Sequence, residues 1–260
     1  MIRALSTAAT GLEAQQARMA DISNDLANVN TDGYKRSRTE FHDLMYETIK
    51  EAGGTLGAAT QSPVGIQTGM GVKVGSSHKL FEQGPARMTY HPYDLMIEGK
   101  GFLPVQMPNG EVAYTRTGAF HLDNQGKLTL TNGARLIPEI TIPQAANNIV
   151  VSSSGEVKAV LPGAGEAILG QLQLLNFQNE QGLMAQGEGI YKASTGSGAP
   201  IQGNPGENGF GFIQQGALEG SNVNVANSMV EMIQTQRAYE MGTKVMGVAD
   251  QMLSATANIK

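Results

Sequence analysis

Apolar residues return at helical intervals in two stretches near the ends of the chain and at strand intervals between them. Ile2, Leu5, Ala9, Leu12, Met19, Ile22, Leu26 and Val29 fall near one stripe of a helix predicted from residue 2 to about 30. Leu5, Leu12, Met19 and Leu26 stand seven apart, the interval at which two packed helices keep a common seam, and Gln16 interrupts that seam. Asn30, Asp32 and Gly33 then end the helix, Gly33 being suited to the left-handed position past a helix C-terminus.

A second helix is predicted over roughly 224–258. Val225, Met229, Met232, Gln236, Tyr239, Thr243, Met246, Asp250 and Leu253 alternate at spacings of four and three, and Val230, Ile233, Val245, Val248, Met252 and Ile259 widen the apolar face. Ser221, Asn222 or Asn224 can cap its start. At 1.5 Å per residue it would run about 50 Å, several times the usual globular helix.

Between the helices, 72–80, 94–98, 101–107, 111–115, 119–122 and 127–130 read as short strands, followed by 148–151, 156–160, 167–177 and 189–193. Pro108-Asn109-Gly110, Asp123 to Gly126 and Asn132-Gly133 supply the turns. So many short strands at close spacing favour an antiparallel barrel or sandwich, with Pro104, Pro138 and Pro143 at strand edges or ends. Residues 52–71 and 194–211, rich in Gly, Ser, Thr and Pro, read as connections; the first could instead order against a neighbouring subunit. The expected fold is therefore α+β, with long N- and C-terminal helices pairing as a coiled coil around a central antiparallel β-rich domain. Its expected divisions are 1–45 (first helix and exit), 46–71 (extended linker), 72–211 (β-domain) and 212–260 (second helix).

Composition narrows the chemistry. The chain has 33 Gly, 13 Met, no Cys and no Trp, so disulfides and thiolate metal sites are excluded and large aromatic anchors for a pocket are few. A formal charge of −5, with no basic stripe, argues against nucleic acid. No run reaches the roughly 18 apolar residues of a membrane span, and the opening MIRALSTAATGLEAQQ lacks the apolar core of a cleaved signal, so no membrane insertion is expected. His42, His78, His91 and His121 are not at metal-ligand spacing. Ser197 lacks a nucleophile elbow, Gly99-Lys100-Gly101 is not a phosphate loop, and Gly65, Gly69, Gly71 and Gly75 lack the strand and helix of a dinucleotide site. Asp94 and Glu98 could do acid–base work only if burial moved one of them. No catalytic residue, metal ligand or cofactor is assigned, and the chain is not read as an enzyme.

The specific string is the exit of the first helix, Ile22 to Lys35. Asn24 and Asn28 share a helix face, Ala27 permits close approach, and Asn30 to Gly33 turn the chain. Asn24, Leu26, Ala27, Asn28, Thr31, Gly33, Tyr34 and Lys35 resemble the N-terminal signature of the flagellar rod and hook family. The middle blocks Gly99-Lys100-Gly101-Phe102, Tyr114 to Phe120 and Asp123 to Leu128 are similar to that family's β-domain core. Glu219 to Val225, Met229 to Ile233, Gln236 to Glu240 and Asp250 to Leu253 resemble its C-terminal part. Length, the opening Met1 to Leu5 and the block Phe41 to Ile49 look most like the branch that forms the distal rod; Asp25 and Ser6 depart from its commonest residues.

The resemblance implies a structural subunit that polymerises into a rigid hollow drive shaft, the distal rod of the bacterial basal body, transmitting torque to the hook for motility. It implies export through the flagellar type III channel without a cleaved signal, and a place spanning the periplasm to the outer membrane. The implied partners are further copies of the chain, proximal rod proteins, the hook protein, the P-ring and L-ring bushing proteins and the export apparatus. The terminal helices would line the inner tube, and 46–71 would be a rod-specific extension bridging neighbouring subunits. Leu5, Leu12, Met19, Leu26, Met229, Met232, Tyr239, Met246 and Leu253 would carry helix packing between subunits. A hook or proximal-rod axial protein is the nearest alternative. A secreted coiled-coil adhesin would not need the Asn24 to Lys35 string. A secreted carbohydrate-binding β-domain would need an aromatic platform, for which Tyr90, Tyr93 and Phe102 are the clustered candidates.

Overall fold

The computed structural model describes residues 2–51, 64–143, 146, 148–161 and 165–257. Residues 52–63 of the expected linker, and Ile259, lie outside the described residues. The chain forms two units, one of Met1–Leu26, Ser37–His78 and Asn224–Lys260, the other of Ala27–Arg36 and Lys79–Val223.

The first unit holds both α-helices found among the described residues, α1 (Ile2–Ala27) and α2 (Val225–Ala257). Asn224 caps α2, its side-chain oxygen accepting the Asn227 N–H at 3.2 Å while its carbonyl accepts from Ser228. Such a cap contributes about 1 kcal/mol. Two strand pairs accompany the helices: Ser37–Asp43 with Val72–Lys79, and Tyr46–Lys50 antiparallel with Ile66–Gly69. The Asp25 carboxylate, buried near the end of α1, accepts the Ser37 N–H through both oxygens at 3.0 and 3.2 Å.

The α+β class holds, but the coiled coil does not. A coiled coil would bury a continuous seam of large apolar side chains along both helices. Instead α2 buries only Thr235 and Ala249, and at Gly242 the backbone lies so near α1 that a Cβ would stand 2.7 Å from Leu12. Met229, Val230, Ile233, Met241, Val245, Val248 and Met252 all stay at least half exposed. The reason is that α2 is apolar on more than one side. Its small residues, not its methionines and valines, turn inward.

The second unit is the β-rich one. Seven antiparallel strands form an open sheet in the order Met184–Gly187, Ile190–Lys192, Val112–Thr115, Leu103–Gln106, Arg135–Leu136, Leu128–Thr129 and His121–Leu122. It stays open and does not close into a barrel, one of the two forms expected. Asn148–Val151, Glu156–Leu161 and Gly165–Gln171 make a three-stranded sheet, and three two-stranded pairs complete the unit. Pro104, expected at a strand edge or end, is the second residue of a strand with neighbours on both sides. Arg135–Leu136 covers only Gln106 and Val105, so Pro104 lies beyond the ladder on that side, where its carbonyl accepts the Ile137 N–H at 2.9 Å.

Leu95, Ile97, Leu103, Val105, Phe120, Leu136, Leu172 and Leu174 build the main core, each burial favouring the fold by roughly 1.5–3 kcal/mol. A second cluster stacks Phe102, Tyr114, Phe177 and Tyr191 edge to face, with Phe81 packed against it and ring centres 4.8–6.0 Å apart. Residues 194–211 are tied down rather than a free connection. Ser197 is fully buried and its hydroxyl donates to the Ser194 carbonyl, while Ile201–Gly203 pairs with Leu174–Asn176.

Candidate functional site

The signature at the exit of α1 becomes a buried ion cluster. Gly33 takes φ +72°, and a Cβ there would stand 2.8 Å from the Thr117 hydroxyl, so only glycine fits. The Gly33 N–H donates to the Glu219 carbonyl at 2.7 Å, which brings the next residues against the strand Ala217–Glu219. Tyr34 lies under the Lys79 ammonium, 4.3 Å from the ring centre. Lys35 is wholly buried: its ammonium donates to Glu219 Oε1 at 2.6 Å and to the Glu82 carbonyl at 2.7 Å.

Glu219 is 1 % exposed and serves two cations. Arg116 reaches both of its oxygens at 3.4–3.5 Å, gives Nε to the Gly101 carbonyl and Nη2 to the Gly99 carbonyl, and lies over the Phe102 ring. The Gly84 N–H donates to the same carboxylate at 2.9 Å. Asn222 closes the arrangement, accepting the Arg36 N–H and donating to the Leu80 and Glu82 carbonyls. The three resembling blocks, near 33–35, 99–118 and 219–222, thus meet at one place. Burial lowers the Lys35 pKa, with Arg116 adding to the effect and Glu219 opposing it. The neighbouring Tyr191 hydroxyl is pushed up to about 12, mainly by burial.

The other signature residues are outside this cluster. Asn28 accepts the Thr31 hydroxyl at 3.2 Å in the turn after α1, Leu26 is half-buried, and Asn24, Ala27 and Thr31 are exposed. Of the nine helix-packing candidates, Leu5, Leu12, Met19, Leu26, Met232, Met246 and Leu253 are half-buried, while Met229 and Tyr239 are exposed. Sequence reasoning did not assign Glu219 or Arg116 a role, and it named Asn222 only as a possible helix cap, a place that Asn224 takes instead. Their signal was a charged or amide residue inside glycine-rich blocks otherwise made of core. The aromatic platform is not assembled: Phe102 is fully buried, Tyr93 is partly buried against the main core, and Tyr90 is 84 % exposed. Asp94 is buried and accepts the Thr89 hydroxyl at 2.6 Å, whereas Glu98 is exposed.

The open surface lies on α2. Met241, Val245, Val248 and Met252, at spacings of four, three and four, form one stripe with 50–61 % of each side chain exposed. About a quarter turn round the helix, Thr235, Gly242 and Ala249 stand seven apart, Thr235 and Ala249 buried and Gly242 backed by Leu12. A groove of about 750 Å³ runs between the helices and the strand Ile66–Gly69, lined by Arg3, Thr7, Gly11, Thr68, Gly242 and Val245 among others, so Val245 stands where the groove meets the stripe. The bidentate pair of Arg3 with Glu47, at 2.8–2.9 Å, joins α1 to the strand Tyr46–Lys50.

A tightly tied β-unit joined in sequence to a long helix with an uncovered apolar stripe defines an assembly subunit. Residues 5–35 match the family described as flagella basal body rod protein, 96–159 the flagellar hook protein FlgE/F/G D1 domain, and 214–259 the flagellar basal body rod FlgEFG protein C-terminal family. Over their whole lengths, the chain is 46 % identical to the flagellar basal-body rod protein FlgG of Buchnera aphidicola from Acyrthosiphon pisum, 45 % to that of Caulobacter vibrioides and 32 % to that of Bacillus subtilis. The chain belongs to the FlgG family of flagellar basal-body rod proteins. Its role is that of a structural subunit of the basal-body rod, and among the described residues no helix is long and apolar enough to cross a membrane.

Proposed function

We propose that this chain acts without catalysis, as a repeating unit of the distal rod that polymerises into a hollow, rigid shaft and carries torque to the hook. The observation that carries this reading is the uncovered stripe Met241, Val245, Val248 and Met252 on α2. Large apolar patches left in water mark surfaces that another protein covers, and the occupant here is a second copy of the chain. A contact of this kind between unlike surfaces of identical subunits generates an open helical polymer when its rotation does not close on itself.

Met229 and Tyr239, the most exposed of the nine packing candidates, would also meet neighbouring copies, with Leu26 and Met232 bordering the same contacts. The segment 46–71 would bridge subunits, a role supported by the exposed Tyr46, Ile49 and Ile66 in its described part. Proximal rod proteins, the hook protein, the P- and L-ring bushings and the flagellar type III export apparatus are the partners this role requires. The place of work would be the rod between the periplasm and the outer membrane.

The test is complementation of a strain lacking its own copy. Val245→Asp and Val248→Asp should abolish rods in electron micrographs of purified basal bodies while the chain is still made and its β-unit still resists protease. Normal rods from both variants would overturn the proposal.

A further inference from the structure

The same stripe carries an oxidisable group at each end. The chain has no cysteine and no tryptophan, so methionine sulfur is its principal site for mild oxidants. Five of its 13 methionines lie on α2, and Met241 and Met252, 61 % and 50 % exposed, flank Val245 and Val248 on one face. Met232 and Met246 are half-buried toward other sides of the helix and Met96 in the β-unit is buried; Met45, Met184 and Met229 are exposed too but lie off the stripe, so position on the stripe, not exposure, singles out Met241 and Met252.

We propose that Met241 and Met252 are oxidation-sensitive assembly residues: a hydroperoxide that reaches the unassembled chain converts them to sulfoxides and blocks its addition to the rod, while assembly shields them. The sulfur lone pair attacks one oxygen of the hydroperoxide, an S–O bond forms as the O–O bond breaks, and the proton passes to the departing oxygen, which leaves as an alcohol, or as water from hydrogen peroxide; the sulfur is oxidised and the peroxide reduced. The product is a polar sulfoxide at a position that the contact would otherwise bury as apolar surface beside Val245 and Val248. Losing the burial of one methionine weakens a contact about tenfold or more, so two together remove most of the affinity. Methionine sulfoxide reductase acting on the free chain would restore it. This inference rests on the reading of the stripe as the surface covered by a second copy.

Two measurements test it. Dilute hydrogen peroxide followed by peptide mass spectrometry should oxidise Met241 and Met252 in the purified full chain and spare them in intact basal bodies; equal oxidation in both would overturn the shielding. Separately, a parent chain is made that already carries Met45→Leu and Met229→Leu, which removes the exposed sulfurs off the stripe that could also meet neighbouring copies. Cells making it, with or without the further Met241→Leu/Met252→Leu changes, are pulsed with peroxide while rods are growing. Leucine keeps the volume and apolarity but not the sulfur. New rods should be lost with the parent and retained with the variant, and equal loss in both would overturn the proposal. Should the variant form no rods even without peroxide, the peptide comparison decides. The polymerisation reading fails separately, if Val245→Asp assembles normally without peroxide.

Discussion

Replacing Glu219 by Gln removes one negative charge from a site holding two positive ones. The amide keeps the shape and an oxygen for the Gly84 N–H, so the change is almost purely electrostatic. Lys35 and Arg116, 0 % and 4 % exposed, would then share a buried site without a counter-charge. Breaking a buried ion pair from one side costs about 3–5 kcal/mol. Lys35 keeps the Glu82 carbonyl, and Arg116 keeps those of Gly99 and Gly101, which holds the cost to the lower part of that range. Lys35→Met is milder, because Glu219 retains Arg116 and Gly84, and the Glu82 carbonyl retains Asn222; about 1–2 kcal/mol is expected. The sharpest expectation concerns the double variant. Adding Lys35→Met to Glu219→Gln removes an unpaired cation, so the pair should be more stable than Glu219→Gln alone. Urea unfolding of the full chain, followed by the near-ultraviolet circular dichroism of the buried Tyr114 and Tyr191, gives the three values. A cost for Glu219→Gln below about 1 kcal/mol, or a double variant less stable than Glu219→Gln, would refute the electrostatic account.

Gly33→Ala forces a side chain onto φ +72° and against Thr117, and should destabilise the β-unit by about 1–3 kcal/mol in the same urea assay. Because the folded Lys35 pKa lies below its ordinary 10.5, the unfolded chain binds the extra proton between those two values; the contribution of Lys35 to stability therefore rises with pH across that window and levels off above it. Comparing pH profiles of the parent and Lys35→Met isolates the rise, and identical profiles would contradict it. Tyr191 acts in the opposite sense: its hydroxyl, ordinarily at 10.0 and held up to about 12, stays protonated in the fold, so its contribution falls between those values and Tyr191→Phe should flatten the fall. Gly242→Val, by pressing a branched side chain on Leu12, should lower the helix content and thermal stability of the first unit by circular dichroism, leaving the Tyr114 and Tyr191 signals unchanged.

Several elements were legible because they rest on local rules. Seven-residue and four-three spacings gave two long helices, and Asn224 was among the caps named from residue type alone. Most of the strands predicted between 94 and 193 appear within a residue or two of their expected bounds, since turn residues such as Asn109-Gly110 and Asn132-Gly133 act where they stand. The strands Ala86–Met88, Phe212–Gln215 and Ala217–Glu219 were not foreseen. They are short, and partners far away in the chain, Ala217 opposite Met88 and Ile213 opposite Ile97, make them strands.

The family signature was visible from Asn24 to Lys35 as a string, and by itself the sequence determined the helices, the turns and the family. It could not say that Lys35 is buried, or that its counter-charge is Glu219, 184 positions away. Nor could it choose which side of α2 turns inward, because apolar residues occupy more than one side and periodicity ranks both alike. Tertiary structure decided these matters. Long-range pairing places one carboxylate between two cations, and close approach to α1 favours the small residues Thr235, Gly242 and Ala249, leaving the larger Met241, Val245, Val248 and Met252 on the side where there is room for another chain.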